Sequence, residues 1–280
     1  MTTAKIIADS ISESGIRITT MDLEFERFLL AQFNTHRMFS RSAQSSRAVP
    51  VKNMIDRIKS NGFVPNFMKN KAGMQSVELF ASYEQKDFSS HWIKVQDAAI
   101  SAARVFIAGN VHKQFANRLL EPFSTVKVVV TATEWENFFA LRLHHAAQPE
   151  MQELAQAMKT AMDESTPELL KDGEWHLPYI TDDYHSNCTK IDLALISAAR
   201  CARVSYLNHD NSTPDIEKDL ELAQRLLDDK HLSPFEHQAM PIDSNRTHKW
   251  LGGQTHIDKN GDCWSGNFRG WIQHRQLVDL

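Results

Sequence analysis

Residues 32–47 read Gln32-Phe33-Asn34-Thr35-His36-Arg37-Met38-Phe39-Ser40-Arg41-Ser42-Ala43-Gln44-Ser45-Ser46-Arg47. This stretch gathers His36, Arg37 and Arg47, the hydroxyls of Ser40, Ser42 and Ser45, and the amide of Gln32. It follows an amphipathic run, Leu23 to Leu30, that reads as the end of a strand and the start of a helix. Guanidinium forks bind phosphate bidentately, and hydroxyls and backbone amides complete the shell. The segment is suited to holding phosphates and anionic rings. A solvated helix end is the alternative, and the rest of the chain has to separate the two.

The chain has 280 residues, enough for a sizeable core in one large domain or two small ones. Its 42% hydrophobic and 24% charged content is ordinary for a globular protein. A net charge of -4 argues against a protein that coats duplex nucleic acid, while leaving room for a local basic pocket. No apolar run approaches a membrane span, and the N-terminus lacks a signal-peptide pattern. Cys188, Cys201 and Cys263 are far apart and form no CxxC pair, which predicts reduced thiols, a cytoplasmic location and no metal site.

Outward from the opening stretch, residues 4–26 carry Ile6, Ile7, Ile11, Ile16 and Ile18 in loose alternation and predict one or two strands ending near Phe25. Residues 26–37 read as helix, 38–50 as loop, and 51–60 as a short helix. A helical period runs from Gln75 to about Leu120, interrupted at Gly109 and Asn110. Residues 124–132 are the clearest strand. Glu134 to Thr160 reads as a long helix, kinked or broken at Pro149. Residues 165–187 look like a connector, 190–206 is Ala-rich and apolar, and Thr213 and Asp215 around Pro214 supply cap chemistry for a helix over 215–229. Residues 241–267 are long and irregular, with Trp250, Gly252, Gly253 and Trp264 fitting either a mobile substrate loop or a packed one. Phe268 to Val278 closes the chain as an amphipathic piece.

Several polar groups sit where simple surface filler does not. Asn137 and Arg142 lie about one and a half turns apart on the apolar helix Phe138-Phe139-Ala140-Leu141. Such groups are usually paired or bound to something, although an arginine stem also snorkels to water. Arg118 ends a helix, where a cation is favourable in any case. His237 follows Ser-Pro-Phe-Glu. His144 and His145 belong to no HExxH pattern, and the chain has no GxSxG elbow, P-loop or GxGxxG fingerprint. Without an obvious nucleophile, the separated Arg, His, Asn and Ser groups suit positioning chemistry, with an anionic substrate clamped beside a redox cofactor.

These residues resemble the flavin-dependent thymidylate synthases. The family signature reads Arg-His-Arg-x-x-Ser-x-Asn-Glu-x-Ser-x-Arg-Tyr, with a Gln three residues before it. In that register Gln32, His36, Arg37, Ser40, Ser45 and Arg47 match. Thr35 replaces the first Arg, Ser42 the Asn, Ala43 the Glu and Ala48 the Tyr. Three further regions are similar: Gly109 through Arg118 to Pro122; Asn137 through Arg142 to Glu150; and the pair Ala198-Ala199-Arg200-Cys201-Ala202-Arg203-Val204-Ser205-Tyr206 with Ser233-Pro234-Phe235-Glu236-His237. In the family that last pair precedes the signature, whereas here it follows. Arg269-Gly270-Trp271-Ile272-Gln273-His274-Arg275 also looks like a truncated second copy of the helix that ends in His36-Arg37.

The resemblance implies an α+β fold, an antiparallel sheet flanked by long helices, of the thymidylate synthase-complementing type with its segment order permuted. It divides the chain into a signature, nucleotide- and flavin-binding part over 1–165, a connector over 166–189, and a part over 190–280 that resembles the family's N-terminal portion and packs into the same fold. It implies a homotetramer, a small-molecule nucleotide as partner, and FAD, NADPH and methylenetetrahydrofolate as cofactors. The activity expected is one-carbon transfer to C5 of dUMP. Hydroxymethyl transfer, dCMP as substrate, and a non-catalytic nucleotide-binding relative are the alternatives. Gln32, Ser45, Arg47 and Arg118 are candidates for the nucleotide, and Arg142 for the pyrimidine and for catalysis. His36, Arg37, Ser40, Asn137, Ser205 and His237 are candidates for FAD. Arg41, His274 or Arg275 are candidates to replace the charge missing at Thr35.

Overall fold

The computed structural model describes residues 2–73, 76, 78–181, 188–205, 212, 215–242, 256–257, 263–264 and 266–278. The isoleucine-rich start forms a hairpin of β1 (Thr3–Ser12) and β2 (Arg17–Glu26), turned at Gly15, whose φ of 80° suits glycine. Next come α1 (Leu30–Phe33), β3 (Ser40–Ala43), α2 (Val51–Asn61), the 27-residue α3 (Ser82–Ala108) and α4 (Lys113–Ala116). The valine-rich run is β4 (Thr125–Ala132), followed by α5 (Glu136–Arg142), α6 (Pro149–Asp163) and β5 (Glu168–Leu170). The remaining elements are α7 (Lys190–Arg203), α8 (Ile216–Asp228), β6 (Ala239–Pro241), β7 (His256–Ile257), β8 (Cys263–Trp264), β9 (Trp271–Gln273) and α9 (His274–Leu277).

Five strands form one sheet in the order β3-β4-β2-β1-β5. Four of them run antiparallel to their neighbours, and β5 adds to β1 in parallel, a departure from the purely antiparallel sheet expected. Both faces of the central strands are covered. Met21, Leu23, Phe25, Val126, Val128 and Val130 point to one face and pack with α5 and α6 through Phe138, Met151, Leu154 and Met158. Val129 and Ile7 meet Tyr179, Cys201 and Val204, the last two at the end of α7, while Ile18 meets Ala239, Phe268 and Trp271. A strand buried on both faces reads as a continuous apolar run rather than an alternating one, which is why β4 was legible.

Three local expectations are corrected. Residues 26–37 hold only a 3-10 turn (Arg27–Leu29) and the single turn α1. The supposed loop 38–50 contains β3, which pairs Ser40 with Thr131 and Ser42 with Val129. Its polar serines hid it, because their partners lie elsewhere in the chain. The break expected at Pro149 is present, the run over 134–160 being two helices separated by residues 143–148. Pro149 opens α6, where its missing N–H and fixed φ cost nothing. The truncated second copy does not repeat a helix: residues 271–273 are a strand paired with β6. Thr213, Pro214, Trp250, Gly252 and Gly253 lie outside the described residues.

Candidate functional site

Arg142 ends α5, and Nε of its guanidinium donates to His36 Nε2 at 2.9 Å. Its Nη2 reaches Thr35 Oγ1 at 3.5 Å, a contact too long to count as strong. The imidazole of His36 stands edge-on to Phe138, with ring centroids 4.9 Å apart, and stacks on Phe39. Burial, then the charges of Arg142 and Arg41, push its pKa down to about 4. A neutral His36 can therefore accept from Arg142, whereas an imidazolium would repel it. On the other side Arg41 donates to the carbonyls of His36 (2.8 Å) and Asn34 (3.1 Å). Thr35, where the family has Arg, closes the turn by donating to Gln32 O at 2.7 Å.

Beside this pair lies a cleft of about 750 Å³ lined by Gln32, Arg142, Leu141 and His144 on one side and by Asn66, Phe67 and Met68 on the other. Its floor is tied by Glu150, 3% exposed, which accepts from the Asn66 amide and from Gln148 Nε2, both at 2.9 Å. Cation, neutral amide and apolar wall together suit a planar polar ring with an anionic tail. A second cleft of about 430 Å³, beside Arg27 and Lys127, contains none of the candidate residues.

The structure joins Gln32, His36 and Arg142, and places Ser45, Arg47 and Arg118 in a different corner. Ser45 Oγ accepts from the Arg47 amide at 3.3 Å and caps a 3-10 turn. Asn117, fully buried, donates to Ser46 O (2.7 Å) and Val49 O (2.8 Å), which holds that turn against the one carrying Arg118. Arg118 itself is paired with Glu121 at 3.0 Å. Arg37, Arg47 and Asn137 are exposed.

Besides His36, two FAD candidates are engaged within the chain. Ser40, 1% exposed, accepts from Gln273 Nε2 at 2.9 Å. His237, 0% exposed, meets Thr131 and Ser42 through its two ring nitrogens, and burial pushes its pKa down to about 3. Neither presents a free group at a surface. Ser205 follows Val204, a β-branched residue held at φ 53° beyond the end of α7, and its amide reaches Arg200 O at 3.3 Å. None of the three residues expected to compensate for Thr35 faces the cleft. Arg41 is spent on the His36 loop, Arg275 pairs with Glu236, and His274 is buried against Trp175 and Phe235.

The sequence reading assigned no role to Asn117, Glu150, His176 or Gln273. Each acts by holding backbone or hydroxyl groups distant in sequence, and no short motif announces that. The family model for thymidylate synthase complementing proteins matches residues 12–168, which include β2, the His36–Arg142 pair and the cleft floor. The chain belongs to this family. Among solved structures, two of a UMP/dUMP methylase PolB from Streptomyces cacaoi, bound with 5-Br dUMP and with 5-Br UMP, are similar at a TM-score of 0.48 and 13% identity. Each covers 59% of this chain, and 91% and 89% of its own. No curated protein matches the chain in sequence. The thymidylate synthase complementing match ends at residue 168, so the likeness of residues 190–275 to the family rests on their own motifs.

Proposed function

We propose that the chain transfers a one-carbon unit to C5 of a pyrimidine deoxynucleotide, dUMP to dTMP. The carrying observation is the Arg142 guanidinium, seated on a neutral His36 at the edge of a ring-sized cleft. Membership in the thymidylate synthase complementing family supports a methyltransferase of this class. Held in place through Nε, Arg142 keeps its remaining N–H groups for the pyrimidine edge. There its fixed charge stabilises negative charge developing on the ring. Gln32 adds an amide to the same cleft.

FAD reduced by NADPH would supply the reducing equivalents when bound, and methylenetetrahydrofolate the carbon. The exposed Arg37 and Asn137 fit an anionic dinucleotide in charge and donor type. Ser40 and His237 do not fit as direct ligands, being buried and already bonded, and act by holding the signature strand. Ser45, Arg47 and Arg118 lie outside the cleft that holds Arg142. A complete site is therefore assembled between copies of the chain, in our reading a homotetramer. The apolar groups exposed on α3, among them Tyr83, Val95 and Val105, suit such burial. We place the protein in the cytoplasm on the same reading; no described helix is long and apolar enough to cross a membrane.

A permuted segment order belongs to the same proposal. It required residues 196–240 to lie against residues 18–48, and the 3.0 Å contact of His237 with Ser42 supports it. The test of function is incubation with dUMP and labelled methylenetetrahydrofolate, weighing the nucleotide product. Label recovered as dTMP supports the reading. Label as a hydroxymethyl group, or acceptance only of dCMP, replaces it by modified-base synthesis. A colourless protein that cannot be reconstituted with FAD replaces it by a non-catalytic relative.

A further inference from the structure

Six side chains form an unbroken hydrogen-bonded series across the sheet. Ser42 Oγ on β3 lies 3.0 Å from His237 Nε2, and His237 Nδ1 lies 2.9 Å from Thr131 Oγ1 on β4. Thr131 Oγ1 lies 2.7 Å from Thr20 Oγ1 on β2, which lies 2.7 Å from His176 Nε2. His176 Nδ1 then lies 2.9 Å from Ser10 Oγ on β1. Four adjacent strands contribute one hydroxyl each, and two imidazoles bridge them from the segment packed on that face. All but Ser42 are at most 4% exposed.

Buried this way, the groups have to satisfy one another. Each hydroxyl and each neutral imidazole has one proton to give. Burial holds both imidazoles neutral, with pKa values pushed down to about 3. Two arrangements use every link. If donation runs from Ser42 to Ser10, both histidines carry their proton on Nδ1. If it runs from Ser10 to Ser42, both carry it on Nε2. Opposite tautomers leave a buried hydroxyl proton without an acceptor, or two oxygens 2.7 Å apart with no proton between them.

The Ser42 end is linked to the cleft through its neighbour on β3, Arg41. β3 is a four-residue edge strand with a backbone partner on one side, so its seat depends on the ties of Ser40 and Ser42. Arg41, between those serines, donates to His36 O, and His36 accepts from Arg142. We infer that Thr20 and His176 are positioning residues for the Arg142 cleft, acting through His237 and Ser42 as one relay with a single sense of donation. The functional half of this inference rests on the proposed nucleotide cleft, whereas the tautomer half does not.

The experiment is nitrogen-15 NMR of the histidines in the full chain at neutral pH, with dUMP titration, for the wild type, Thr20→Val and Thr20→Ser. The wild type should show His176 and His237 in the same tautomer. Thr20→Val should make them differ. Thr131 then gives its proton to His237 Nδ1, fixing Nε2–H there, and His176 Nε2, facing a methyl group, becomes the bare nitrogen. The Kd for dUMP should rise roughly three- to tenfold, and Thr20→Ser should restore both readouts. Opposite tautomers in the wild type overturn the relay, whether or not Thr20→Val folds. A Thr20→Val chain with matched tautomers and unchanged dUMP affinity overturns it too. If the wild type does not bind dUMP, the nucleotide reading falls and the positioning role with it, while the wild-type tautomer match still decides the relay.

Discussion

Arg142 joins sequence to chemistry most directly. Its position on an apolar helix marked it as paired or bound, and the structure supplies the pair, His36. Arg142→Ala should lower turnover by about 2–4 kcal/mol of transition-state stabilisation, the range for comparable electrostatic donors. It should leave the unfolding midpoint nearly unchanged, because the side chain is only half-buried. Steady-state rates and a urea melt on one preparation check this; full activity would remove Arg142 from the site. His36 and Arg142 were both legible as single residues, but their contact was not, since 106 positions separate them. His237 was legible as a motif and expected at FAD, but its burial was not legible. A Ser-Pro-Phe-Glu-His string carries no information about burial, and both ring nitrogens turn inward to Thr131 and Ser42.

Among the elements, the signature strand β3 and the turn after it are held by groups from elsewhere in the chain. Gln273 Nε2 donates to Ser40 Oγ and to Glu236 O, both at 2.9 Å. Gln273→Leu removes both bonds, leaving Ser40 Oγ only the 3.4 Å contact from Asn267 Nδ2, and should cost about 1–3 kcal/mol. It should also weaken dUMP binding, because β3 carries Arg41 and through it the His36 loop; a stability loss with unchanged binding would contradict this. Asn117→Ala removes the two bonds that hold residues 46–49. It should cost a similar 1–3 kcal/mol, and nucleotide Kd should rise more than for Gln224→Ala on the exposed side of α8. Elements with a strong pattern of their own, such as β4 with its valines and α8 with its Asp215 cap, were readable in advance. β3 was not, because four residues of mixed polarity become a strand only when β4 offers an edge and Gln273 and His237 absorb the hydroxyls.

At the scale of the whole molecule, the sheet is shared. Its strands come from the first 170 residues, and one face is closed by His176, His237, Cys201 and Trp271 from the later part. The motifs in 190–240 suggested this closure, but the means, two buried histidines on four hydroxyls, has no sequence signal. It does have a pH consequence. His176 and His237 titrate near 3 when folded and near 6.5 when unfolded, so the unfolded chain binds more protons between those values. Their contribution is complete above about pH 6.5 and is lost as pH falls. These two alone should lower the unfolding free energy by roughly 2–3 kcal/mol between pH 6 and pH 5, read from urea melts as the part lost when both are replaced; a flat profile would contradict the buried pair. The most direct measurement overall is the mass of the nucleotide after incubating the chain with FAD, NADPH, dUMP and carbon-labelled methylenetetrahydrofolate, beside Arg142→Ala. We predict dTMP carrying the label with the wild type and none with the variant. Unchanged dUMP from a wild-type chain that has bound and reduced its flavin would contradict the assignment of this cleft to C5 methylation.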